Sequence, residues 1–308
     1  MDNNIAIKLQ NVTKKVGHKV IIDQLSFDVP KGEVFGFLGP NGAGKTTTIR
    51  MIVGLISMSS GKIYINGEDV AKSFEKAISH VGAIVENPEM YGYLTGCQNL
   101  LHYSRMHPNI SKERIQEVIK LVGLEQRIHE KVKKYSLGMR QRLGVAQAIL
   151  HKPAVLILDE PTNGLDPSGI RELRDYLRSL SENEGTAVVV SSHLLSEMEL
   201  MCDRVAIIQS GKLVDIQILK GLTNKVDPTL SIALEVDDVT KALEVLNERK
   251  IEIIDKEGNT LHFVLQKNLI PDLNKTLVQK NVGVFEISTA TKSLEDKFME
   301  ITRGEQIV

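Results

Sequence analysis

Hydrophobic positions in this chain follow two periods. Ile5, Ile7 and Leu9 alternate with polar neighbours, and so do Leu25, Phe27 and Val29, so both segments read as half-buried strands. Three runs are apolar on both faces: Val34–Leu38, Val155–Leu158 and Ala187–Val190. A strand without a polar face must be covered on both sides, which predicts a buried, largely parallel sheet. Helical patterns stand among these runs. One carries Ile115, Val118, Ile119 and Val122; another carries Ile170, Leu173, Leu177 and Leu180 on a single stripe. Asp166 is placed to cap the second of these, with Pro167 at its first helical position. Buried strands alternating with helices predict an α/β fold.

The pattern changes near Gly221, and Asn224–Pro228 reads as a polar connection. Beyond it Ile232, Leu234 and Val236 alternate, then Val239, Ala242, Leu243 and Leu246 form a helical face. Ile251–Ile254 and Leu261–Leu265 flank a turn at Lys256–Asn259, a hairpin signal. A helix carrying Leu269, Leu273 and Leu277 is expected next, then a strand at Val282–Ile287. This order predicts a small α+β domain of split βαβ type over 223–308, following a first domain over 1–222. Ser293 and Asp296 are expected to open a last helix with Leu294, Phe298 and Ile301 inward.

Charge and composition narrow the function classes. Lys and Arg number 38 against 39 Asp and Glu, a net −1 that argues against a general nucleic-acid binder but leaves a local basic groove open. With 42% hydrophobic and 25% charged residues the chain can build a core, which excludes global disorder. Aromatics at 4%, with no Trp, predict an aliphatic core and argue against an aromatic base-stacking platform. Cys97 and Cys202 have no metal-ligand spacing and allow one bridge at most; two core thiols in a reducing compartment fit. Met1–Asn4 has neither a basic region nor an apolar block after it, so no secretory signal is expected. The longest apolar run, Ala154–Leu158, is far short of the ~20 residues that span a bilayer, so the chain is expected to be soluble and intracellular.

The chemistry begins directly after Val34–Leu38, with Gly39-Pro40-Asn41-Gly42-Ala43-Gly44-Lys45-Thr46-Thr47. Two glycines in this spacing, followed by Lys and Thr, form a phosphate loop. Glycines let backbone N–H groups approach phosphate oxygens, and the start of the next helix adds a favourable dipole. Lys45 is expected at the β- and γ-phosphates and the Thr46 hydroxyl on Mg²⁺. A dinucleotide-binding loop is the rival, but that fingerprint does not require the lysine. The strand Val155–Leu158 ends in Asp159-Glu160, where Asp159 can hold Mg²⁺ and Glu160 can activate a water as general base. Two solvated acids at a strand end would be the plainer reading without the phosphate loop upstream. Tyr135-Ser136-Leu137-Gly138-Met139-Arg140-Gln141 precedes Asp159, and Ser136 can cap a helix through Leu143, Ala146 and Leu150. Pro161–Asp166 and Ser191-Ser192-His193 complete the set, with His193 at the sheet edge where open α/β folds bind ligands.

Together these segments resemble the ATP-binding subunits of ABC transporters, over roughly residues 5–220. The resemblance implies a P-loop NTPase fold of ABC type with a helical subdomain at about 88–150, and the small C-terminal α+β domain as an accessory. It implies an ATPase whose phosphate loop faces the Ser136–Gly138 segment of a second copy, so that Ser136 and Gly138 contact the γ-phosphate of ATP bound to the other chain. Glu160 matches the catalytic glutamate, His193 the histidine that contacts the γ-phosphate, and Asp166 the residue that crosses the dimer interface. The implied cofactors are ATP and Mg²⁺. The implied partners are an integral membrane permease and a second copy of the chain in a head-to-tail dimer, with no nucleic acid, at the cytoplasmic face of the cell membrane.

Two positions depart from the family pattern. An aromatic that stacks on adenine usually precedes the glycine of the first loop; here it is Val16, within Lys14-Lys15-Val16-Gly17, and weaker base recognition is expected. Glu86 stands where most relatives place a Gln that coordinates Mg²⁺. As a carboxylate it is expected to ligate the ion with Thr46 and Asp159 more strongly than an amide while repelling the γ-phosphate, so a change in metal dependence or coupling is expected. The segment from Val85 through Asn99-Leu100 and the ending near Ser293 are similar to the ATP-binding subunits of bacitracin-resistance and lantibiotic-immunity exporters, with Tyr91 and Tyr93 near the permease surface or simply packed. Exporters of other substrates share these features. A soluble ABC ATPase of ribosomes or DNA is disfavoured by the single cassette and by the 114 positions between Lys45 and Asp159, which hold no sustained heptads. A small-molecule kinase is disfavoured because no acceptor pocket is evident.

Overall fold

In the computed structural model, which describes residues 4–219 and 229–289, the first two strands form a long hairpin. β1 (Ile5–Val16) and β2 (Lys19–Pro30) pair antiparallel from Ile5–Pro30 to Val16–Lys19. The short, fully buried β3 (Val34–Leu38) follows, then α1 (Lys45–Ile52). β4 (Ser60–Ile65) returns to pair with β1, and β5 (Glu68–Asp69) with β4, which makes a four-stranded antiparallel sheet of order β2-β1-β4-β5. The alternation at Ile63 and Ile65, both buried, is the sequence mark of β4.

α2 (Phe74–Ile78) leads to β6 (Val81–Ile84). Three helices then intervene: α3 (Gly96–Ser104), α4 (Lys112–Leu121) and α5 (Leu137–Ala148). Thr95, Ser111 and Ser136 cap their starts, each hydroxyl accepting a backbone N–H three residues on. Buried Arg114 of α4 donates to the carbonyls of Ile149 and Leu150 and so fastens the end of α5.

The chain re-enters the sheet at β7 (Val155–Leu158), followed by α6 (Pro167–Glu184), β8 (Ala187–Ser192), α7 (Leu195–Met201), β9 (Arg204–Gln209) and β10 (Lys212–Ile218). The six-stranded order is β10-β9-β3-β8-β7-β6, parallel from β9 to β6, with β10 antiparallel at one edge. The fold is therefore α/β, with the parallel sheet that the all-apolar runs predict. Phe27, Phe35 and Phe37 meet in the core between the two sheets, ring centroids 5.3–5.7 Å apart. Gly36 lies between the two phenylalanines of β3 because α7 comes close there. A Cβ would stand 2.7 Å from Met198 Sδ and 2.9 Å from Cys202 Sγ.

The chain divides into two compact units, Met1–Lys220 and Gly221–Val308. In the second, β11 (Thr229–Val236), α8 (Val239–Glu248), β12 (Ile253–Glu257), β13 (Thr260–Gln266), α9 (Ile270–Gln279) and β14 (Val284–Thr289) form an antiparallel sheet of order β12-β13-β11-β14. This is the split βαβ arrangement. Its core joins Ile232, Leu234 and Phe263 to Ala242, Leu246, Leu273 and Leu277. Leu269 departs from expectation. Pro271 sits in the first turn of α9, which begins at Ile270, so Leu269 is left outside the helix and exposed while Ile270 packs inward. The Asn224–Pro228 connection and the helix expected from Ser293 to Ile301 lie outside the described residues.

Candidate functional site

Parallel strands end together, so the loops that follow them share one sheet edge. The register places Leu38 beside Ser192, Leu158 beside Val190, and Ile84 beside Leu158. Gly39–Gly44, Asp159-Glu160, His193 and Glu86 therefore emerge along the same edge.

The loop after β3 is held close to its neighbours. A Cβ at Gly39 would lie 2.2 Å from the carbonyl of Ile208, and Gly44 adopts φ +109° as the residue before α1. Among the described residues no side chain caps the start of α1, which leaves its first N–H groups open to an anion. Lys45, 6% exposed, opens that helix. A buried ammonium needs partners. Its Nζ donates to Gly39 O at 2.7 Å and Pro40 O at 3.4 Å, and lies 3.4 Å from the Glu160 carboxylate. Thr46 and Thr47 follow half-buried in the first turn, and Thr48 Oγ1 bonds the carbonyl of Gly44.

Asp159 is 3% exposed at the end of β7. Ser191 of β8 donates its hydroxyl to Asp159 Oδ1 at 2.6 Å and accepts the backbone N–H of Glu160 at 2.8 Å. Glu160 adopts φ +48°, a conformation that costs energy for a residue with a Cβ. That backbone turn leaves its carboxylate between two groups: Lys45 on Oε1 and the Nδ1 of His193, 3.0 Å from Oε2. A carboxylate held this way can receive a proton from a water molecule, while Lys45 is within reach of the loop that would hold phosphate.

Glu197 of α7 joins two of the loops, since Thr162 Oγ1 donates to its Oε2 at 2.7 Å and Ser192 Oγ at 2.8 Å. Sequence reasoning named Ser191 only within the Ser191-Ser192-His193 segment, with no role of its own, and did not reach Glu197. The signals were modest: Ser191 closes an apolar strand beside His193, and Glu197 lies one helical turn beyond it.

Ser136 and Gly138 are grouped with another loop. The Ser136 hydroxyl caps α5, and Leu137 packs on Gly164, where a Cβ would lie 2.2 Å from Leu137 Cδ2. Asp166 caps α6 by accepting the N–H of Gly169 at 2.9 Å. A cavity of about 890 Å³ is lined by Ser136, Gly138, Leu165, Asp166 and Tyr176 among others. Among the described residues no hydrogen bond or ion pair joins the Ser136–Gly138 segment to the phosphate loop of the same chain.

Val16 stands at the tip of the β1–β2 hairpin, 61% exposed. Glu86 adopts φ +67°, and its carboxylate pairs with Arg50 in the last turn of α1. Tyr91 packs edge-on against exposed Tyr93 and against His102, ring centroids 5.9 and 5.1 Å away. Among the described residues no helix is long and apolar enough to cross a membrane.

A family profile described as "ABC transporter" matches residues 22–163. The chain is 54% identical over 296 residues to YhcH, an uncharacterized ABC transporter ATP-binding protein of Bacillus subtilis (strain 168), covering 96% of this chain and 95% of that one. It is 40% identical over 304 residues to the bacitracin transport ATP-binding protein BcrA of Bacillus licheniformis, covering 97% of each. Among solved structures, the dimeric post-hydrolysis state of the ATP-binding cassette MJ0796 bound to ADP and Pi superposes with a TM-score of 0.63. The match is at 26% identity over 70% of this chain and 99% of that one.

Proposed function

The chain belongs to the ABC transporter family of ATP-binding, ATP-hydrolysing subunits, and from that premise we propose that it powers a separate membrane permease which exports a peptide antibiotic. The observation that carries the chemistry is the Glu160 carboxylate standing between Lys45 and His193. In this reading ATP lies along Gly39–Thr47. Lys45 leaves Glu160 for the β- and γ-phosphates, and its departure frees the carboxylate to take a proton from the attacking water. His193 holds the γ-phosphate from the other side. Val16 touches the adenine by apolar contact only.

Thr46 and Asp159 suit Mg²⁺: both offer hard oxygen donors, and Ser191 occupies only Oδ1 of the buried Asp159. When bound, the ion would neutralise charge on the phosphates. Ser136 and Gly138 reach the ATP of a second copy, with Asp166 at that interface. Two features support the dimer. The segment stands free of its own phosphate loop, and its start of α5 carries the dipole that favours an anion. The 40% identity to a protein named for bacitracin transport supports the substrate class. Tyr91 and Tyr93 supply an exposed aromatic patch for the permease, which would hold the chain at the cytoplasmic face of the membrane.

Glu160→Gln tests the mechanism. ATP binding is retained, hydrolysis is lost, and a nucleotide-dependent dimer accumulates on size-exclusion chromatography; near-normal turnover would remove Glu160 from its role. Deleting the chain with its permease and measuring susceptibility to bacitracin tests the substrate class, and unchanged susceptibility would turn the search to other cargo.

A further inference from the structure

Two glutamates stand in equivalent places at the nucleotide edge. Ile84 of β6 and Leu158 of β7 are paired, and Glu86 and Glu160 each lie two residues beyond. The Asp159 N–H bonds the carbonyl of Ile84 at 2.9 Å, so the ladder continues past the strand ends. Both glutamates have left-handed backbones. The bond between Asp159 and Ile84 sets Glu86 two residues along the chain from the point where β6 meets Asp159. Each glutamate is also matched to a cation of α1: Glu160 to Lys45 at its start, Glu86 to Arg50 in its last turn.

We propose that Arg50 is a positioning residue that holds Glu86 clear of the metal–phosphate centre. The inference rests on the assignment of Mg²⁺ to Thr46 and Asp159. An amide at position 86 would need no such partner, because it neither repels phosphate nor competes strongly for a divalent cation. A carboxylate does both. Without Arg50 the freed Glu86 charge would oppose metal-free ATP and favour the metal complex. The pair is exposed on both sides, 39% and 60%, so it contributes little to stability and its effect is on ligand binding.

The experiment compares binding of a fluorescent ATP analogue with and without Mg²⁺, and the fraction of Mn²⁺ bound with ATP by electron paramagnetic resonance, on the full chain. In Arg50→Gln the ratio of metal-loaded to metal-free nucleotide affinity rises about fivefold, the scale of one unit charge in partly screened surroundings. Arg50→Lys keeps the wild-type ratio. Arg50→Gln together with Glu86→Gln returns to the ratio of Glu86→Gln alone. Thermal midpoints stay together across the set. A ratio unchanged in Arg50→Gln, or one that rises equally in the Glu86→Gln background, overturns the proposal. Asp159→Asn separates the two levels. If it leaves Mn²⁺ binding intact, the metal assignment itself is wrong; if it abolishes binding while Arg50→Gln is silent, only the role of Arg50 falls.

Discussion

The loops after β6 and β7 start from the same geometry and end with different chemistry. Each follows an apolar parallel strand, turns through a left-handed glutamate, and meets a basic residue of α1. They differ in surroundings. Glu160 is 20% exposed, shares its loop with buried Asp159, and is braced through Ser191 and His193. Glu86 is 60% exposed and, among the described residues, has Arg50 as its side-chain partner. A charge in low-dielectric surroundings acts strongly and specifically, whereas an exposed one is screened. Equivalent backbone position therefore does not assign equivalent work; burial and bracing do.

The sharpest break between the two loops is the matched substitution. Glu160→Gln lowers kcat by about 10²–10⁴-fold, the usual reach of a general base. Glu86→Gln leaves kcat within a few-fold, because no proton passes through it. Equal losses in steady-state phosphate release would collapse the distinction.

Bracing comes next. Ser191→Ala strips one hydrogen bond from buried Asp159 and another from the backbone of Glu160. Unmet buried groups of this kind cost about 1–3 kcal/mol, visible in urea unfolding, and kcat falls with the loss of alignment. Among the described residues the exposed loop has no counterpart to Ser191, so no β6 substitution is expected to reproduce both effects.

Backbone strain should yield a smaller gain. Asparagine tolerates positive φ better than glutamate, so Glu86→Asn raises stability by about 0.5–1 kcal/mol, read from the urea midpoint. The same change at Glu160 abolishes turnover and takes the carboxylate partner from buried Lys45, so the relief of strain is outweighed there. No gain at Glu86 would mean its left-handed turn is unstrained.

A separate effect is on pH. His151 bonds the carbonyl of Val81 at the start of β6 and stacks on His107, centroids 4.2 Å apart. Burial, reinforced by His107, pushes its pKa down to about 4 from 6.5. The unfolded chain thus takes up the proton more readily, so this contribution to stability is whole above pH 6.5 and is lost as pH falls toward 4. His151→Gln flattens the dependence of the thermal midpoint over that window.

Much of this was open to reading in the residues. Runs such as Val155–Leu158 marked the parallel sheet because a strand covered on both faces leaves no room for polar side chains. The phosphate loop was visible because it uses consecutive residues whose types answer to one local backbone task. Caps at Ser136 and Asp166 were readable for the same reason. Leu269 was misplaced because helical spacing cannot say where a proline will start the helix. The antiparallel sheet of β1, β2, β4 and β5 draws on segments separated along the chain, and Ser191, Glu197 and Arg50 act on groups over 30 residues away.

Local order, strand type and the identity of the phosphate-binding loop follow from the amino acids in succession, since each depends on neighbours a few bonds away. Which cation answers which carboxylate does not. Lys45 and Arg50 are both basic residues of one short helix, and nothing in their spacing assigns the first to Glu160 and the second to Glu86. That pairing arises when the parallel sheet brings two strand ends side by side under α1, because electrostatic partnership is set by distance and burial in three dimensions.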